Sequence, residues 1–237
     1  MIDGTYFANK VCLVLYRDTN IRMTVLYRLT DGERLRELKE DFQNIKHTGI
    51  EIESVTCDSA ANILKTGREV CPEAVLQRYT VHIAREITTW LTHKTKSDAA
   101  RELLELVRLL RRVETKEEAQ LWTRAFIDWY RKYEVFVDKQ TGRWWYTHKM
   151  LRWSISHIHR ALPEMFAYTH CEKVPKPSNS IEAFFGHLKD KLRIHRGLSK
   201  EHFRNFVKWY LFFNSNHDKI LQKSQRKLLV PAANSKS

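Results

Sequence analysis

The chain has 237 residues, with 41 Lys and Arg against 28 Asp and Glu, a formal charge of +13. Hydrophobic residues make up 43% and Gly and Pro number only 7 and 5. This excludes disordered and collagen-like chains and leaves a folded domain large enough to bury a core. No apolar run reaches the roughly 18 residues of a membrane span, and the N-terminus has no signal-peptide pattern. A soluble, cytoplasmic chain is expected, with no membrane partner. The cysteines Cys12, Cys57, Cys71 and Cys171 form no C-x-x-C pair, which argues against a disulfide framework or a cysteine zinc site.

In chain order, Met1 to Phe7, Lys10 to Asp18 and Arg22 to Thr30 are rich in β-branched and aromatic residues and predict three strands, with Ala8-Asn9 as a hairpin break. Asp31-Gly32 is expected to cap a helix from Glu33 to Lys46, with Leu35, Leu38, Phe42 and Ile45 on one face and Gly49 as its stop. Ile50 to Cys57 alternates as a fourth strand, Ser59 to Val70 is a short helix, and Val75 to Val81 a fifth strand. The period then becomes helical over Ile83 to Leu91, Ser97 to Val113, Lys116 to Tyr133 and Tyr146 to Leu162. In the third of these, Leu121, Ala125, Ile127/Asp128 and Trp129 are expected to mark the repeat. Pro175 to Ser178 is a loop, Ile181 to Ile194 and Lys200 to Phe213 are helices, Asn214 to His217 ends the run, and the remainder is a tail. The expected fold class is α/β (α+β), a mixed sheet with a large helical insertion and C-terminal helices. The divisions are residues 1–83, 84–172, 173–215 and 216–237.

The charge has an address. Residues 1 to 138 carry 22 basic and 22 acidic side chains, whereas residues 139 to 237 carry 19 basic and 6 acidic, with 8 of the 11 histidines. A one-sided basic field of this size faces a polyanion, and nucleic acid is the expected one.

Three acids sit on different elements: Asp3 in the first strand, Asp58 at the end of the fourth, and Glu182 in the first turn of a helix. Hard divalent cations take oxygen ligands, and a two-metal phosphoryl-transfer centre gathers carboxylates from separate elements around ions about 3.5–4 Å apart. Read singly, each acid has a plainer account. Asp3 can be a strand-end residue, Asp58-Ser59 a helix cap, and Glu182 the partner of a capping box opened by Asn179.

The strings IDGTYF (Ile2 to Phe7), VTCDSAANIL (Val55 to Leu64), QRYTVHI (Gln77 to Ile83) and SNSIEAFFGHLKDKLRIHRGLS (Ser178 to Ser199) resemble the catalytic domain of DDE transposases of the bacterial insertion-sequence and mutator-like group. The resemblance implies an RNase H-like core interrupted by a helical insertion. It further implies Asp3, Asp58 and Glu182 as the catalytic, metal-binding triad, with two Mg²⁺ (or Mn²⁺) ions. Its partners would be double-stranded DNA, as transposon ends and target, and a second copy in a homodimer on DNA, in a nucleoid-associated setting. Lys189, seven residues after Glu182 and on the same helical face, stands where the family has a basic DNA contact. His82 falls at the histidine of the family's C-x-x-H element, but Tyr79 replaces the cysteine, a departure that favours a packing role for the pair.

Beyond Lys189, the bases Lys191, Arg193, His195, Arg196, Lys200, Arg204 and Lys208, interleaved with Phe184, Phe185, Phe203, Phe206 and Trp209, suit one packed face and one phosphate-facing face. Arg193, Arg196, Lys200 and Arg204 are the principal candidates with Lys189. In the insertion, Trp144, Trp145, Tyr146 and Trp153 lie among Arg143, Lys149 and Arg152, as buried anchors or as DNA-stacking groups. His157 and His159, two apart, cannot share a helical face as metal ligands. The chain begins two residues before Asp3, so an N-terminally truncated protein lacking the end-recognition region is expected. Two further readings stand beside the catalytic one: a non-catalytic DNA-binding remnant that regulates a full-length enzyme, and an RNase H-like nuclease unrelated to mobility.

Overall fold

The computed structural model describes residues 1–7, 11–58, 60–92, 97–139, 148–175, 180–195 and 197–215. The fold is mixed α/β, as the sequence predicts, and divides into two compact units, Met1–Thr48 with the residues from Ser180 on, and Gly49–Asn179.

The first unit is built on strands β1 (Ile2–Tyr6), β2 (Cys12–Asp18) and β3 (Met23–Thr30), an antiparallel meander in the order β1-β2-β3. Ile2 faces Tyr16 and Tyr6 faces Cys12 across the first pair, and the second pair has a bulge at Tyr16/Arg17. The central strand is buried on both faces: Cys12, Leu13, Val14, Leu15 and Tyr16 are all inaccessible. One face is met by helix α1 (Leu35–His47) through Leu38, Phe42 and Ile45. There Tyr16 packs edge-on against Phe42 and donates its hydroxyl to Asp41 at 2.9 Å. Asp41 also accepts two bonds from Arg28 Nε, at 3.0 and 2.9 Å. A buried carboxylate is tolerated here because its oxygens are saturated by donors. The helices α7 (Ser180–Ile194) and α8 (Lys200–Phe213) complete this unit.

The second unit joins strands β4 (Ser54–Cys57) and β5 (Val75–Arg78) in parallel through the crossover helix α2 (Ala61–Val70). Four helices follow: α3 (Thr80–Thr92), α4 (Asp98–Leu109), α5 (Lys116–Val137) and α6 (Lys149–Met165). Their core holds Ile83, Ile87, Leu103, Val107, Trp122, Phe126, Trp129, Ile155 and Ile158. The two indoles are anchored, Trp122 Nε1 donating to Leu106 O at 2.7 Å and Trp129 Nε1 to Ala99 O at 3.0 Å. Thr115 and Glu118 close a reciprocal capping box at the start of α5.

Several expectations are corrected. Among the described residues the strands make two hydrogen-bonded sheets rather than one, because hydrophobic runs locate strands but not their partners. The fourth strand begins only at Ser54, and the fifth ends at Arg78, since Thr80 already opens α3. Arg34 caps α1, not Asp31-Gly32, and it does so without a side-chain bond. On α5 the buried line is Ala119, Trp122, Phe126 and Trp129, while Leu121 is 63% exposed and Ala125 and Ile127 also face outward. The aromatics bury more area than Leu121 and Ile127 and turn the helix accordingly. Gly49 ends α1 with φ +79°, the left-handed conformation glycine adopts without strain. Ala8-Asn9, Ser59, Arg143 to Tyr146, Lys176 to Asn179, Arg196 and the tail from Asn216 lie outside the described residues.

Candidate functional site

The first candidate acid, Asp3, sits in the middle of β1 and is 7% exposed. Alternation along a strand puts Met1, Asp3, Thr5 and Phe7 on one face and Ile2, Gly4 and Tyr6 on the other. The second face is met by Glu33, whose carboxylate lies where a Gly4 Cβ would be, so a larger residue there would require that side chain to shift. The face of Asp3 is met by α7. Ser180, at the start of that helix, donates its hydroxyl to Met1 Sδ at 3.7 Å. The Arg17 guanidinium stacks 4.3 Å above the Phe184 ring. Lys189 Nζ lies 5.8 Å from the ring of Phe7. Contacts at both ends of β1 therefore run α7 alongside it in the same direction, and Glu182, half-buried in its first turn, belongs to the stretch beside Asp3. Asp3 Oδ1 accepts from the Gly4 N–H at 2.8 Å.

Burial pushes the Arg17 guanidinium down from its ordinary value. Its N–H groups are nevertheless used, on Arg22 O at 3.0 Å and Thr24 Oγ1 at 3.4 Å.

The buried line of α7 is Ile181, Phe185 and Leu188, which leaves Lys189, Lys191 and Arg193 exposed. On α8 Phe203, Val207 and Leu211 are buried, and Lys200, Arg204 and Lys208 are exposed. Phe203 packs edge-on against Phe7 at 5.2 Å, and Ser199 caps α8 by accepting from His202 N at 3.2 Å. Of the interleaved aromatics, Phe185 and Phe203 are core, Phe184 and Phe206 half-buried, and Trp209 exposed. The first unit thus presents an exposed basic surface on two consecutive helices, with Arg193 also 3.5 Å from Asp190 one turn away.

Asp58 belongs to the second unit. It follows β4 directly, and its Oδ1 accepts from Ala60 N at 2.9 Å, which positions the entry to α2. Parallel pairing sets Cys57 opposite Arg78, and Tyr79 N donates to Cys57 O at 2.9 Å, so the Tyr79–His82 element adjoins the strand end carrying Asp58. The Tyr79 and His82 rings stack at 5.4 Å and 29°. Behind this strand end, Arg78 Nε donates to Glu164 at 2.8 Å, and Arg68 contacts the other oxygen of the same carboxylate. Glu164 has only a weak signal in the sequence, one acid in the basic, proline-containing end of α6.

His157 Nε2 lies 3.0 Å from Glu86, and His159 packs on Phe126 and Tyr130, so each histidine has its own partners. The exposed Trp153 carries Lys149 Nζ at 4.6 Å above its ring.

The donor chemistry of Asp3, Asp58 and Glu182, oxygen only, suits a hard divalent cation. Among the described residues, no three His, Cys, Asp or Glu side chains are gathered as a metal-holding group. No described helix is long and apolar enough to cross a membrane.

A mixed α/β chain with an exposed basic surface on two consecutive helices suits a nucleic-acid partner. Residues 22–150, more than half of the chain, match the family described as Transposase, Mutator family, and the chain belongs to that family. This ties it to DNA transposition, and so to DNA. Asp58, Tyr79 and His82 fall within the matched residues; Asp3, Glu182 and Lys189 fall outside them. No curated protein matches the chain.

Proposed function

We propose that this protein catalyses metal-dependent cleavage and strand transfer of DNA, with Asp3, Asp58 and Glu182 as its acidic triad. The observation that carries this is the course of α7 along the Asp3 face of β1, which sets Glu182 and Lys189 on the element beside that carboxylate. Family membership supplies the reaction class. In this reading residues 1–83 and 173–215 make an RNase H-like core and 84–172 an insertion. The three carboxylates hold two Mg²⁺ or Mn²⁺ ions, which when bound activate the attacking oxygen and stabilise the leaving one.

The chain's own residues do the rest. Lys189 neutralises a phosphate next to the scissile one, and Arg193, Arg196, Lys200 and Arg204 hold the duplex backbone without reading sequence. Tyr79 and His82 brace the strand end from which Asp58 projects. The working form is a homodimer on transposon ends and target.

The test is nicking of supercoiled plasmid with Mn²⁺, comparing wild type with Asp3→Asn, Asp58→Asn and Glu182→Gln. Each variant is expected to lose cleavage by at least a hundredfold while keeping DNA affinity. Equal cleavage by wild type and Glu182→Gln removes that residue from the chemistry. Salt-dependent binding with no metal-dependent cleavage by wild type replaces the proposal with a non-catalytic DNA-binding protein.

A further inference from the structure

Helix α8 buries Phe203, Val207 and Leu211 and turns a different set of apolar side chains outward. Trp209 is 53% exposed, Phe212 50% and Phe213 73%. Trp209 stands two residues from both Val207 and Leu211, so it lies on the side opposite the buried line. The Trp209 and Phe213 rings are one turn apart and nearly parallel, with centroids 5.8 Å apart at 24°; Phe212 meets both edge-on, at 5.9 and 5.5 Å. Three large aromatics clustered on the surface are costly to leave in water and mark a binding surface.

The flank of this cluster says what covers it. Arg204 and Lys208 are exposed on the preceding two turns, and Lys208 Nζ lies 5.9 Å from the Trp209 ring. Against Lys200, Arg204 and Lys208 the helix carries one acid, Glu201. A symmetric contact between two copies sets a patch against itself, and here it would oppose three bases to three bases with only Glu201 to offset them. A ligand with negative charge at regular intervals and flat π-faces between the charges fits both halves of the surface. That description is an unpaired nucleic-acid strand. Duplex DNA offers the phosphates but keeps its base faces inside the stack, out of reach of an outward-facing ring.

We infer that Trp209 and Phe213 form a stacking platform for the unpaired bases of single-stranded DNA, with Arg204 and Lys208 on its phosphates. The inference uses the chain's DNA partner but not the cleavage chemistry, and its test needs no metal.

The full chain is titrated in EDTA against a labelled single strand of about 20 nucleotides, longer than the roughly 4–16 that one site of this kind occupies, and against the blunt duplex of the same sequence. Fluorescence anisotropy gives both affinities. Trp209→Ala and Phe213→Ala are each expected to weaken single-strand binding about tenfold, the scale of one lost base–aromatic stack, and to change duplex binding less than twofold. Trp209→Phe keeps a ring and retains most of the affinity; Trp209→Leu does not. Lys208→Ala weakens both probes. The inference is overturned if the two alanine variants lose affinity equally on both probes, or lose none. It is also overturned if sedimentation shows a dimer that Trp209→Ala dissociates, which would make the ridge a contact between copies.

Discussion

Glu164, in the last turn of α6, accepts a 2.8 Å bond from Arg78 Nε at the end of β5, and both side chains are almost fully withdrawn from solvent. Arg68 of α2 contacts the same carboxylate but is half exposed. One acid thus ties the crossover helix, the second parallel strand and the last long helix of its unit together.

Glu164→Ala leaves Arg78 as a buried charge without its counter-ion, which costs about 3–5 kcal/mol. Urea unfolding is expected to show a lower midpoint at unchanged slope. The double replacement Glu164→Met with Arg78→Met should recover at least half of the loss, because two apolar side chains need no pairing. A single-variant loss below about 1 kcal/mol would mean that solvent reaches the pair.

Gln77 is fully buried in β5 and uses both ends of its amide. Nε2 donates to Met165 O at 2.8 Å, and Oε1 accepts from Tyr168 N at 3.1 Å. Gln77→Leu fills the space but leaves a carbonyl and an N–H unpaired, at about 1–3 kcal/mol each. Amide exchange at Tyr168 should accelerate well beyond that at Val107 in α4; equal acceleration would indicate general loosening instead.

Alkaline pH should weaken the three-stranded unit. Burial pushes the Cys12 thiol up to about 11, with Glu33 adding to it, and burial followed by the Asp41 carboxylate raises the Tyr16 hydroxyl further. Both groups are held neutral in the fold. Their contribution is therefore complete below the ordinary values of 9.0 and 10.0 and is lost as pH rises past them. Stability is expected to fall from about pH 9 upward. Tyr16→Phe should flatten the part above pH 10 at the cost of one hydrogen bond. A pH profile identical to wild type would show that Tyr16 is not the titrating group.

The two sides of α5 should respond in opposite ways to truncation. Trp122→Ala removes a buried indole and its bond to Leu106 O, for about 3–5 kcal/mol. Leu121→Ala, one residue away and outward, should stay within about 0.5 kcal/mol. Thermal denaturation of the two variants decides this directly; comparable losses would reverse the assignment of faces.

The elements that were legible in the sequence are those with a strong period and a clear stop. Lys200–Phe213 is a helix over the residues its pattern marks, and Gly49 ends α1 where its conformational freedom is needed. Pairing and facing were less legible. The alternation in Ile50 to Cys57 marks a strand but extends four residues before the ladder starts, because only Ser54 onward finds a partner in β5. On α5, counting aliphatic side chains selected Leu121 and Ile127, while packing selected the larger aromatics. For the candidate acids, the residues could be read but not their surroundings. That Asp3 shares its strand face with two residues touching α7 follows from contacts between positions nearly 180 apart in the chain. Glu164 was hidden for the same reason, since its meaning depends on arginines 86 and 96 residues away.

The first unit is assembled from the two ends of the described chain. During synthesis β2 emerges before the second unit, yet α7 and α8 are translated only after the whole of it. At roughly 5–20 residues per second that delay is on the order of ten seconds. Gly49–Asn179 is contiguous and can collapse as it leaves the ribosome, whereas the meander must wait with Leu13 and Leu15 uncovered. The newborn protein therefore passes through an interval in which its most apolar strand is covered by α1 on one face but still lacks α7 and α8 on the other. In that interval, premature release or a stalled ribosome exposes a sheet face prone to aggregation.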